Sequence, residues 1–237
     1  MESIVTISKR VLERLIKMDY ERKGGSSKEQ LIFPMKIQAN GTKEKDRISE
    51  QELRQLFIEE FKVKHKNLYY SIETPTTNKF SFSNEMNEKK IADSINTGQS
   101  ALVDMCVFDK EKDSYKRIFN IEFKHKNATH DNISKDILKL MHEEENGAFV
   151  LLLKNTNIGT LNNKGKTGVI DKLISSVKLH QVKKVWNGVD EKFIDLVILS
   201  LEVKKGGKPF IMHQRITFNE LEGLDYCLDK WSVKVLD

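Results

Sequence analysis

Between residues 101 and 124 the chain carries two apolar stretches of strand length, ALVDMCVF (101–108) and RIFNIEFK (117–124), each broken by an acid in its interior. Strands this apolar belong in a sheet core, where an unpaired carboxylate costs several kcal/mol. Asp104 and Glu122 must therefore be paired or hold a metal. Alternation along the second stretch puts Glu122 and Lys124 on one face and Phe119, Ile121 and Phe123 on the other. The connection DKEKDSYK is strongly charged and suits a hairpin loop. Two neighbouring strands thus deliver an Asp, a Glu and a Lys, which converge if the polar faces coincide.

The remaining chain reads as helices and strands in turn. Ile4, Ile7, Val11, Leu12, Leu15 and Met18 recur mostly every three or four residues, which predicts a helix over 4–22, ended by Gly24-Gly25-Ser26-Ser27. LIFPMKI suits a short strand and NGTKEKDR a loop. Ser49 with Glu52 three residues on is a capping box, opening a helix that runs to about Phe61. YYSIETP (69–75) is a strand stopped by Pro75, with KFSF beside it, and the polar residues through 98 are loop with room for one helical turn. Ile133, Ile137, Leu138, Leu140 and Met141 stripe a helix over 132–145. GAFVLLLK (147–154) is apolar throughout, the pattern of a strand covered on both faces. A Gly/Asn-rich loop at 155–168 leads to a helix at 169–182. Two strands around Gly206-Gly207, a short helix at 219–228 and a strand in WSVKVL follow. The prediction is an α/β fold with a mixed central β-sheet flanked by helices, its early antiparallel strands preceding a crossover. Residues 1–45 form an N-terminal helix and arm, 46–154 the core, and 155–237 a C-terminal extension with a hairpin packed on the same domain.

Composition narrows the classes. Forty Lys and Arg against 35 Asp and Glu give a formal charge of +5, and 38% hydrophobic with 32% charged residues argues against a membrane protein and against bulk disorder. Cys106 and Cys227 make neither a disulfide framework nor a C-x-x-C zinc pair. The N-terminus lacks the apolar block of a secretion signal, and no run of about 18 apolar residues occurs, so the expected compartment is the cytoplasm.

Two carboxylates, a backbone carbonyl and waters make an oxygen-only site suited to Mg²⁺, with Mn²⁺ as a substitute. Such an ion polarises a phosphoryl oxygen and lowers the pKa of a water, and a neighbouring Lys124 would hold that water or stabilise the phosphate. A further acid comes from the helix at 50–61. At about 100° per residue, Glu50 falls within the apolar arc of Leu53, Phe57 and Phe61 and faces the sheet, whereas Glu52 and Glu59 point away; Glu60 lies near the arc at the far end.

The acid-bearing helix, the Val103-Asp104 pair in a strand, Ile121-Glu122-Phe123-Lys124, and then a helix and a strand resemble the PD-(D/E)xK nuclease superfamily. EQELRQLF is similar to the first helix of archaeal Holliday-junction resolvases. The resemblance covers residues 46–154 and departs at Val103, where the superfamily name has proline. It implies a restriction-endonuclease-like core in which Asp104, Glu122 and the Phe123 carbonyl bind metal, Lys124 is the site lysine and Glu50 the helix acid. It also implies DNA as substrate and cleavage to a 5′-phosphate and a 3′-hydroxyl; a homodimer is common among enzymes that cut both strands.

Other residues have two readings. His125, Lys126 and His130 would touch phosphates or sit in a solvated loop, and no further ligands accompany the histidines to make a zinc site. Lys135 stands where this superfamily often has a site-lining residue. Tyr69 and Tyr70 would stack on bases or fill the core, with the core preferred. GTLNNKGKTG has the letters of a P-loop, but Gly159 lies six residues before Gly165 and no apolar strand abuts it. The rival classes are a non-catalytic nucleic-acid or protein-binding module, and an RNase or ligand-gated effector nuclease.

Overall fold

The computed structural model describes residues 3–22, 29–31, 35–37, 43–46, 49–163, 165–182, 185–188, 191–203, 207–224 and 227–236. The elements in chain order are α1 (Ile4–Arg22), β1 (Met35–Ile37), β2 (Lys43–Asp46), α2 (Glu50–Lys64), β3 (Tyr69–Phe80), α3 (Glu88–Ser94), β4 (Gln99–Glu111), β5 (Ser114–His125), α4 (His130–His142), β6 (Asn146–Thr156), α5 (Ile158–Leu161), α6 (Val169–Val182), β7 (Phe193–Val203), β8 (Phe210–Thr217) and β9 (Ser232–Val235). The fold is α/β, as expected. Strands β3 to β9 form one mixed sheet in sequence order, antiparallel except for the β5–β6 and β6–β7 pairs, whose crossovers carry α4 and α6. The chain beyond residue 155 continues that same sheet through β7, β8 and β9. Among the described residues no helix is long and apolar enough to cross a membrane.

Alternation in the central strands builds two cores. Ala148, Val150 and Leu152 of β6 join Met105 and Val107 of β4, Phe119, Ile121 and Phe123 of β5 and the apolar stripes of α1 and α2. Phe149, Leu151 and Leu153 face the other way, against Ile133, Ile137 and Leu140 of α4 and Val169, Leu173 and Val177 of α6. The continuously apolar β6 is thus covered on both sides. Ser49 and Glu52 form the capping box that starts α2, which then runs one turn past Phe61.

Three local expectations are corrected. Pro75 does not stop its strand: β3 continues to Phe80 with a register shift after Pro75. As the outermost strand of the sheet, β3 tolerates a residue that cannot donate to a ladder. The loop expected at NGTKEKDR contains β2, which pairs with β1. The helix expected at 219–228 is reduced to single 3-10 turns at Phe218–Glu220 and Leu228–Lys230. The Gly24-Gly25-Ser26-Ser27 turn and Gly206 lie outside the described residues.

Helices α4 and α6 are also tied by a histidine. His180 is fully buried, and its Nε2 donates to the Ser134 carbonyl at 2.8 Å while Nδ1 has no partner. Burial pushes its pKa down to about 4, against the help of that hydrogen bond and with nearby His130 acting in the same direction as burial. Because the folded pKa lies below the unfolded value of about 6.5, the unfolded chain binds the extra proton more readily, and stability falls as pH drops from about 6.5 to about 4. Urea unfolding at pH 7 and pH 4.5 is expected to show a loss approaching about 3 kcal/mol from this residue, and His180→Gln to flatten that part of the dependence.

Candidate functional site

The site begins where β4 and β5 part company. Their ladder ends at the Met105–Ile121 pair, and one more step would set Asp104 opposite Glu122. Beyond that point β4 follows β3, pairing Val103 with Thr74 and Leu102 with Pro75, while β5 follows β6, pairing Glu122 with Phe149 and Lys124 with Leu151. A fork in the sheet results. Asp104 closes its apex by accepting the Phe123 N–H on Oδ2 at 2.7 Å, in place of the missing ladder bond.

Both helical layers reach this fork. From α4, Asp136 places Oδ2 2.8 Å from the Lys124 ammonium and Oδ1 2.9 Å from that of Lys139. Lys139 lies 2.5 Å from Oε1 of Glu122 and donates to the Leu102 carbonyl at 2.8 Å. Leu102 stands opposite Pro75, which has no N–H to offer. From the first turn of α2, on the other face of the sheet, Glu50 comes within 3.8 Å of Lys124. Arg54, one turn on, sits 3.9 Å from Asp104 and pairs closely with Glu73, a strand residue held at φ +48°.

Side-chain exposure shows how the cluster opens. Glu122 is 1% exposed and Asp136 and Lys139 8% each, whereas Asp104 is 15%, Lys124 20% and Glu50 34% exposed. The floor is dry and the mouth is formed by Asp104, Lys124 and Glu50.

The electrostatics follow from crowding acids in a low-dielectric place. Burial, reinforced by Asp136 and Asp104, raises the Glu122 carboxyl well above the usual range despite Lys139. Burial also raises Asp104, against the Phe123 N–H and Lys124, and raises Glu50, with Asp104 and Asp136 adding to it against Lys124. Burial works to deprotonate Lys124 and Lys139, but the acids around them prevail and hold both above their normal values. Three carboxylates thus hold protons more readily than usual and two ammoniums keep their charge. That is an excess of buried acid which a cation would relieve.

Asp104, Glu122, Lys124 and Glu50 are therefore brought together, as their spacing suggested. The backbone contact seen at Phe123 is its N–H; its ring packs edge-on against Phe57 at 5.2 Å in the opposite core. Of the loop residues, Lys126 is exposed at φ +67° and His125 is half-buried at the end of β5. Lys135 does not line the site: its ammonium lies 5.9 Å over the Phe82 ring. Glu60, like Glu59, pairs with Arg14 instead. Tyr69 and Tyr70 are not core residues but are 43% and 38% exposed. Sequence reading missed Asp136, Lys139 and Arg54. The first two flank the Ile133–Ile137–Leu140 stripe of α4, and charge beside an apolar stripe was the available signal.

Among the described residues no three acid, imidazole or thiol groups close on one point as a metal site. The donor chemistry fits a hard divalent ion through two carboxylates, Asp104 and Glu122, completed by backbone oxygen and water. No protein-family model matches the chain, and no curated protein or solved structure is significantly similar to it.

Removing the bridging acid tests whether the cluster is cohesive. Asp136→Ala leaves two nearly buried ammoniums short of a partner and is expected to cost about 3 kcal/mol in urea unfolding at pH 7. Lys135→Ala, one residue away, loses only a surface cation–π contact and is expected to cost under about 1 kcal/mol.

Proposed function

We propose that the protein is a divalent-metal-dependent nuclease that hydrolyses phosphodiesters in DNA, a divergent member of the PD-(D/E)xK superfamily. The observation that carries the reading is the fork at Asp104 and Glu122, where two strand acids, the Lys124 ammonium and the helix acid Glu50 share one half-open cluster. Asp104 and Glu122 would hold Mg²⁺ or Mn²⁺ with the Phe123 carbonyl. When bound, that ion supplies Lewis acidity to the phosphoryl group and acidifies water.

The chain's own groups divide the remaining work. Lys124 is kept charged by Asp136 and Glu50, so it acts as a donor that orients the attacking water and steadies negative charge on the phosphate. Glu50 combines an exposed edge with a raised proton affinity, which suits it to take the proton from that water. Asp136 and Lys139 position Lys124 and Glu122 from the floor. The net charge of +5 favours a polyanionic substrate, and exposed Tyr69 and Tyr115, stacked edge-on at 4.9 Å, offer a surface for unpaired bases.

A second reading has its own support: Glu122 and Lys124 each already have an internal partner, as in a non-catalytic binding module. Incubating the protein with supercoiled plasmid, single-stranded DNA and RNA, in Mg²⁺, in Mn²⁺ and in EDTA, separates the two. Metal-dependent cutting of DNA, leaving 5′-phosphates, is expected, with Glu122→Gln and Lys124→Ala each reducing the rate at least about 100-fold. Cutting of RNA alone would move the substrate class, and no cutting of any substrate would leave the binding module.

A further inference from the structure

We infer that the Lys139 ammonium is a tethered cation filling one of two adjacent cation positions in this cluster, so that the site takes one divalent ion and not two. The inference rests on the metal-site reading above and adds how many ions the site accepts and what sets that number.

The surroundings of Lys139 resemble a coordination shell more than a surface ion pair. Its Nζ meets three oxygens from three different elements: Glu122 Oε1 of β5 at 2.5 Å, the Leu102 carbonyl of β4 at 2.8 Å and Asp136 Oδ1 of α4 at 2.9 Å. An ammonium has three protons to give, and β5, β4 and α4 present one oxygen each. Carboxylate and carbonyl oxygens are also what a hard divalent cation selects, at 2.0–2.1 Å for Mg²⁺, so a small inward movement of the same three groups would suit a metal.

Charge balance gives the number. With every carboxylate ionised, as a bound cation would hold them, Glu50, Asp104, Glu122 and Asp136 oppose Lys124 and Lys139, while Arg54 pairs closely with Glu73 and lies farther from Asp104. Two negative charges remain, which one divalent ion neutralises. A second ion would have to displace an ammonium that the floor encloses at 8% exposure. The carboxylates of Glu122 and Asp104 would hold that ion. Lys139 is thus a positioning residue that decides metal stoichiometry.

The test counts Mn²⁺ bound to the full-length protein by the EPR signal of the free ion, for the native chain and for Lys139→Ala, with thermal melting of each in EDTA and in millimolar Mn²⁺. The native chain is expected to bind one ion and Lys139→Ala two. The variant should melt well below the native chain in EDTA and recover more of its melting temperature in Mn²⁺ than the native chain gains. Adding Glu122→Gln to Lys139→Ala should abolish that recovery. A native chain that binds two ions, or a Lys139→Ala that still binds one with no extra recovery, overturns this inference and leaves the nuclease reading standing. No Mn²⁺ bound by either protein overturns both. Where Lys139→Ala is unfolded in EDTA, folding on addition of Mn²⁺ supports the inference. Where it folds in neither buffer, the native count of one against two decides.

Discussion

A single hydrogen bond, from the Phe123 N–H to the Asp104 carboxylate, holds the rest of the site in place. It ends the β4–β5 ladder with a side chain, and from that point the two strands belong to different neighbours. An acid in an apolar strand is usually a liability. Here it satisfies a backbone donor that the divergence would otherwise orphan, and the divergence in turn gives the acid its opening. The fork also explains how α2 and α4, packed in opposite cores, both reach one cluster.

The fork would collapse electrostatically without the two lysines. Four carboxylates crowd together at this depth, and burial with mutual repulsion raises Glu122, Asp104 and Glu50. Lys124 and Lys139 offset much of this, and Asp136 joins them by giving one oxygen to each. The arrangement is dry and paired below but half-open above. That gradient leaves Asp104, Lys124 and Glu50 within reach of solvent while Glu122, Asp136 and Lys139 are enclosed.

Much of this could be read from the chain because it rests on local periodicity. The α1 and α4 stripes, the capping box at Ser49 and Glu52, and the alternation of Glu122 and Lys124 against Phe119, Ile121 and Phe123 need no tertiary information. Glu50 was found by the angular position of one acid on a helix. What escaped depended on distant partners. Pro75 looked like a stop because its place at the sheet edge, where a missing donor is harmless, is set by β4 and not by β3 itself. Tyr69 and Tyr70 looked like core because aromatic strand residues usually are, but at that edge both stay exposed, Tyr70 edge-on to the Phe61 ring and Tyr69 edge-on to Tyr115. Lys135 came from the superfamily resemblance, whereas helix rotation decides that Asp136 and Lys139 meet the fork.

Asp136 divides its carboxylate between two ammoniums that serve different strand positions, and this has an evolutionary consequence. Substituting any one of Glu122, Lys124, Asp136 and Lys139 strands a charge on another, so their effects on stability do not add. Viable change at these positions has to arrive as matched sets, a swapped pair or a neutral trio, and not as independent drift. In descendants of this chain the four should be inherited as a block, while the exposed loops around them diversify freely.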